Sequence, residues 1–180
     1  VTAPAAATTG ERVTVSWTVN NAGEAATTGN WTDVVYLSLD GTLAGAVQLA
    51  RVPQGRQVLP GESYTGSVEV TLPELPDGSY RILVVTDRDG QLFEQGREAN
   101  NALASAPLQL GHPDLTVTAV TVPASAVSAA TVGVSWVVAN QGTRPAAGTW
   151  TDRVFLTQTG VVDAQARLMA TVSRGGPLES

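Results

Sequence analysis

Between Asp87 and Asn101 the chain gathers oxygen donors. The run Asp87-Arg-Asp89-Gly90-Gln-Leu-Phe-Glu94-Gln-Gly-Arg-Glu98-Ala-Asn100-Asn101 holds four carboxylates and a closing pair of asparagine amides. Calcium takes about six to eight oxygen ligands in irregular geometry. Asp87, Asp89, Glu94, Glu98, Asn100 and Asn101 are therefore candidate calcium ligands. The spacing departs from the EF-hand loop, whose alternate carboxylates and closing Glu are not all present. Arg88 and Arg97 also set positive charge against a cation. A plainer reading fits the same residues and is favoured. Asp87 and Asp89 make turn hydrogen bonds, and Asn100 and Asn101 tie the loop to the strand that follows.

Little else in the chain could carry a reaction. Its single histidine, His112, stands beside Pro113 in a short hinge and reads as a solvated linker residue. One histidine and no cysteine rule out a His-rich or thiolate zinc site, and a Ser-His-acid triad would have to rest on His112 alone. No glycine-rich phosphate loop leads from a strand into a helix. Nothing in the spacing sets two carboxylates across a cleft for glycoside hydrolysis. The segment reads as non-catalytic, with no cofactor required and calcium the one candidate ion.

The elements that would position the acidic run are strands. Val13, Val15, Trp17 and Val19 alternate with polar residues over 12–20, which predicts a strand with one buried face. From Trp31 to Leu39, Val35, Leu37 and Leu39 fall on one face and Val34 and Tyr36 on the other. Shorter or longer strands follow over 46–52, 63–72 and 79–87, punctuated by Asp40-Gly41, Pro60-Gly61 and Pro76-Asp-Gly78. The 79–87 strand is apolar on both faces and belongs in the middle of a sheet. Leu92-Phe93-Glu94 reads as a short extended piece, 96–101 as a polar loop and 102–110 as the closing strand. No window has helical spacing. Many short strands with regular turn signals predict an all-β, antiparallel β-sandwich.

The chain also repeats itself. Trp17 and Trp136, Trp31 and Trp150, and Asp33 and Asp152 are each 119 residues apart. Between Val13–Leu39 and Val132–Gln158, 13 of 27 positions are identical without a gap. A period of domain length indicates a tandem array of whole domains. The expected division is 1–111, one near-complete sandwich, and 112–180, the front half of a second copy. Gly111-His112-Pro113 forms a hinge short enough to make such an array a semi-rigid rod. The first copy lacks a counterpart of Asp114-Leu-Thr-Val-Thr118 and the second lacks one of 62–110, so both ends read as cuts within a longer protein.

Trp17 and Trp136 lie mid-strand on the apolar face, where each would bury about 150–250 Å². Trp31 and Trp150 stand at strand starts and read as caps on one end of the core. A sugar-binding role would instead require Trp31 or Tyr36 exposed on a flat face. Asp33 and Asp152, partly buried beside these tryptophans, need partners. Backbone N–H groups or a neighbouring loop are the expected ones. Asn30-Trp-Thr32 fits the glycosylation pattern and reads as coincidence.

Composition bounds the partners. Net charge is −6 with ten positive charges, all arginine. An acidic chain of pI 4.6 lacks the basic face that nucleic acid or anionic lipid requires. No run is long enough for a membrane-spanning helix.

Val13-Thr-Val-Ser-Trp17-Thr-Val-Asn-Asn21-Ala-Gly23 with Trp31-Thr-Asp33-Val-Val-Tyr-Leu37-Ser resembles the CARDB domain, the cell-adhesion-related domain found in bacteria. Pro113-Asp114-Leu-Thr-Val resembles its opening. Gly78-Ser-Tyr80-Arg-Ile-Leu-Val-Val-Thr-Asp87, Phe93-Glu94 and Glu98-Ala-Asn100-Asn101 resemble its closing half. The resemblance implies an immunoglobulin-like sandwich, in multiple copies, in an exported or surface-attached protein. It implies a spacer or adhesion role, with neighbouring repeats of the same chain, surface proteins or glycans as partners. The alternative it leaves open is an accessory domain of a secreted hydrolase.

Overall fold

Strands form where alternating apolar residues can share a buried face. The computed structural model describes residues 1–180. Its first unit, Val1–Gly111, contains β1 (Ala6–Thr8), β2 (Arg12–Asn20), β3 (Trp31–Ser38), β4 (Val47–Gln54), β5 (Ser63–Thr71), β6 (Gly78–Val85), β7 (Ala102–Ala104) and β8 (Leu108–Gly111). One layer is a six-stranded sheet ordered β1-β8-β6-β3-β4, with β7 also paired to β6. The other is the antiparallel pair β2–β5, in the register Trp17↔Gly66 and Val19↔Tyr64. The inner faces meet in one core of Val13, Val15, Trp17 and Val70 against Val35, Leu37, Ile82, Val84, Leu108 and Leu110. This is an all-β, immunoglobulin-like sandwich, with β6 and β3 central as their two-sided apolar character requires.

Several local features differ from the sequence expectation. The closing strand is two pieces, β7 and β8, because Pro107 has no N–H for a ladder. At that break the Ser105 hydroxyl accepts from the Ile82 N–H at 3.0 Å. Strand β1, unmarked in the sequence, runs parallel to β8, the one departure from antiparallel pairing. Leu39 lies outside β3 and is exposed, not on the Val35–Leu37 face. Residues 92–94 form no strand, and part of the polar loop is a single 3₁₀ turn, Glu98–Asn100. No helix is long and apolar enough to cross a membrane.

The second unit, His112–Ser180, contains β9 (Leu115–Thr121), β10 (Ser135–Asn140), β11 (Thr149–Leu156) and β12 (Arg167–Gly175), paired as β9–β10 and β11–β12. It repeats the first unit's local geometry. The register of β3–β4 shifts between Val35 and Tyr36, and that of β11–β12 shifts between Val154 and Phe155. Asn21 closes the loop after β2 by donating to Ala25 O and Val58 O at 2.8 and 2.9 Å. Asn140 does the same after β10, donating to Arg144 O and Leu178 O at 2.7 and 3.1 Å.

Candidate functional site

The most connected polar group of the first unit is the Asp33 carboxylate. It is fully buried and accepts four side-chain donors. Trp17 Nε1 donates at 2.9 Å, Gln54 Nε2 at 3.1 Å, the Tyr64 hydroxyl at 2.8 Å and the Thr86 hydroxyl at 2.7 Å. Trp17 and Tyr64 come from one layer, Asp33, Gln54 and Thr86 from the other. The carboxylate is therefore a cross-layer bolt. Its partners are side chains: of the backbone N–H groups or neighbouring loop expected from sequence, only the loop contributes, through Thr86 in the turn after β6. The physical reason is that β3 is central, so its neighbours' ladders already use the nearby amides. Burial pushes the pKa of the Tyr64 hydroxyl well above the ordinary phenol range, and its hydrogen bond to Asp33 adds to the shift.

Trp31 completes this end of the core. It is 2 % exposed, packs on Tyr64 with ring centroids 5.7 Å apart, and donates its indole N–H to the Tyr64 hydroxyl at 3.1 Å. Arg56 covers the other side of Tyr64, 4.9 Å from the ring centroid. Trp31 and Tyr36 are both buried, so neither offers the flat exposed ring that sugar stacking needs.

The second unit builds the same bolt with a different third member. Trp136 Nε1 donates to Asp152 at 2.8 Å, again between two sheets. Arg174 Nε donates to the same oxygen at 3.0 Å, and its guanidinium lies 5.3 Å from the Trp136 ring centroid. The Trp136 hydrogen bond holds the Asp152 pKa below the ordinary carboxylate value against an opposing effect of burial, and Arg174 reinforces it. Gln54, Tyr64, Thr86 and Arg174 carried no motif. The available signals were the inward phase of Tyr64 on β5 and a polar Thr86 ending an apolar strand.

The acidic loop brings some of its candidate ligands together. Asp87, Glu94 and Glu98 present carboxylate oxygens within 4.8 Å of one another. Asp87 is buried and left-handed at φ 43. Its two oxygens accept the N–H groups of Gln91 and Leu92 at 2.7 and 2.8 Å, and these bonds hold a backbone conformation that few non-glycine residues adopt. Asn101 donates its amide to Glu94 at 2.6 Å and to Glu98 at 3.0 Å. Partial desolvation, then the nearby Glu94 and Asp87 charges, raises the Glu98 pKa. Asp89 turns aside to pair with Arg51, and Asn100 is exposed in the 3₁₀ turn. A cleft of about 350 Å³ borders the loop between Leu43, Val85, Arg88 and Glu98.

Three carboxylates could hold a divalent cation if the Asn101 amide turned to offer its oxygen. In the structure its NH₂ group sits between the glutamates and does part of a cation's work. Asp87 fits less freely, since both its oxygens already serve the turn.

The CARDB family model matches residues 1–105. No curated protein matches the chain. Among solved structures, the chain is similar to the CARDB domain of a Pyrococcus furiosus protein, determined in complex with di-metal ions. The identity is 16 % and the TM-score 0.45, and the match covers 61 % of this chain and 82 % of that one.

Proposed function

This chain belongs to the CARDB family, and from that premise we propose that it is a non-catalytic repeat module of an exported surface protein, a spacer that holds adhesive neighbours at a fixed reach. CARDB is a non-catalytic, adhesion-related domain family associated with bacterial surface and extracellular proteins. The observation that carries the proposal is the bolt. The most buried carboxylate of the first unit is spent entirely on joining two layers, and the second unit spends Asp152 in the same way. A group saturated with internal donors is unavailable to a substrate and well placed to resist shear between sheets. Subsidiary to this, we propose a divalent cation at Asp87, Glu94 and Glu98, supported by their convergence.

The test is mechanical and biochemical. The full chain is pulled between its ends while a parallel sample is offered ester, peptide and glycoside substrates. The spacer reading expects a single high-force event for the first unit, lost in Asp33→Ala, and no turnover. Turnover of any substrate, or a first unit that yields gradually at low force, would sink it.

A further inference from the structure

We propose that His112-Pro113-Asp114 is a fastened strap. These three residues are clamped to the loop 140–144, which leaves the Gly111–His112 link as the one slack joint of the linker. The inference does not rest on the spacer reading.

The first observation is where the backbone hydrogen bonds go. Gly111 is the last residue of β8 and pairs with Thr8, and its carbonyl accepts the Thr9 N–H at 3.1 Å. His112 already belongs to the second unit. Its carbonyl accepts the N–H groups of Thr143 and Arg144 at 2.9 and 3.2 Å. Asp114 bonds through both of its backbone groups. Its N–H donates to Asn140 Oδ1 at 2.9 Å, and its carbonyl accepts the Gln141 N–H at 2.7 Å. A slack linker leaves such groups to water, whereas here they are paired as in a folded element.

The second observation is the fit at Gly142. The strap passes directly over this residue. A Cβ there would overlap His112 O, Pro113 C and Asp114 N, so only glycine lets the strap close. Asn140 shapes the loop beneath it. Its side chain is buried, and its Oδ1 accepts the Gly142 N–H at 3.0 Å as well as that of Asp114. One buried acceptor thus holds both the strap and the glycine it lies on.

The third observation is Pro113, exposed at the middle of the strap. It has no N–H, so no donor is left unmet there, and its ring fixes φ near about −65°. It also holds His112 in an extended conformation. The strap is therefore stiff before it is fastened, and fastening it costs less conformational entropy. Released, its three residues would add about 10 Å of chain to the joint while β9 and β10 stay paired.

The experiment measures ¹⁵N relaxation and amide exchange on the full chain. In the parent chain the order parameters of His112 and Asp114 should be about 0.85, the value of rigid backbone, and the Asp114, Gln141 and Thr143 amides should be protected. Gly142→Ala should drop both order parameters below about 0.6. It should speed those three exchanges about tenfold or more and leave β2 and β6 unmoved. Pro113→Gly keeps every strap donor and acceptor in place and should speed the same exchanges about two- to fivefold, which tests the strap even where Gly142→Ala disturbs β10. Three outcomes would overturn the proposal. One is order parameters below about 0.6 at His112 and Asp114 in the parent chain. Another is exchange at Asp114, Gln141 and Thr143 as fast as in an unfolded peptide. The third is exchange unchanged by both substitutions.

Discussion

Gln54 and Arg174 stand at the same point of their two units. Gln54 lies opposite Trp31 and Arg174 opposite Trp150, and each donates to the cross-layer carboxylate, at 3.1 and 3.0 Å. One unit balances its carboxylate with neutral dipoles, the other with a guanidinium. Four donors converging on Asp33 do what one cation and one indole do at Asp152. The bolt is thus defined by its Trp–Asp pair, and its remaining donors are interchangeable in kind.

The Asp33 bolt should dominate the stability of the first unit. Asp33→Ala removes the shared acceptor of four donors and strands the buried Trp17 indole and Gln54 amide, while the Tyr64 and Thr86 hydroxyls, 3.2 Å apart, can still bond to each other; it should cost about 3–5 kcal/mol. Urea unfolding of the full chain, followed by amide exchange in β2 and β6, measures it. A loss below about 1 kcal/mol would contradict the geometry.

Asp152 should titrate below the ordinary carboxylate range, chiefly through Trp136 and secondarily through Arg174. Its folded pKa is depressed, so its contribution to stability is present above the unfolded value and is lost as pH falls through the folded one. Trp136→Phe and Arg174→Gln, which copies the first unit, should therefore each raise the Asp152 pKa. Carboxyl-carbon NMR titration of the two variants checks both shifts.

Much of the sandwich was legible because burial forces period two: Val13, Val15 and Trp17 announce β2, and the two-sided apolar run announces a central β6. The Trp–Asp recurrence likewise announced an anchor. Its partners were not legible, because Gln54, Tyr64 and Thr86 lie 21, 31 and 53 residues from Asp33 and only the register of three strands brings them together. In the acidic loop composition overstated the cluster. Asp89 had a nearer cation in Arg51 on a strand distant in sequence, and a 3₁₀ turn carried Asn100 outward.

Gly66 should tolerate no side chain. Its backbone passes under the Trp17 indole, so Gly66→Val must push apart the two layers that Trp17 bonds. Overpacking of this kind costs about 1–3 kcal/mol or more. Thermal unfolding of the variant should fall clearly below the parent. An unchanged midpoint would mean that the indole moves freely and the Asp33 bond is weak.

The isolated segment 112–180 should not fold cooperatively. Val117, Val120, Val137, Leu156, Leu168 and Met169 are exposed, and each of its sheets has only two strands, fewer than independent stability needs. A sharp thermal transition and a dispersed NMR spectrum from that segment alone would refute this.

The acidic loop separates two outcomes through Glu98. Its pKa is raised by desolvation and by Glu94 and Asp87, so the folded state holds that proton more tightly than the unfolded state. Stability should then decline as pH rises through the raised value, the reverse of the Asp152 case. A divalent cation would remove the repulsion, and millimolar calcium should raise the first unit's thermal midpoint by several degrees over chelator. Glu98→Gln should by itself stabilise the chain at neutral pH and cancel the calcium shift. If calcium moves nothing while Glu98→Gln still stabilises, the Asn101 amide is the loop's only counterweight and the cation site is excluded. If Glu98→Gln destabilises, its carboxylate is needed as an acceptor for Asn101 and the repulsion is too small to matter.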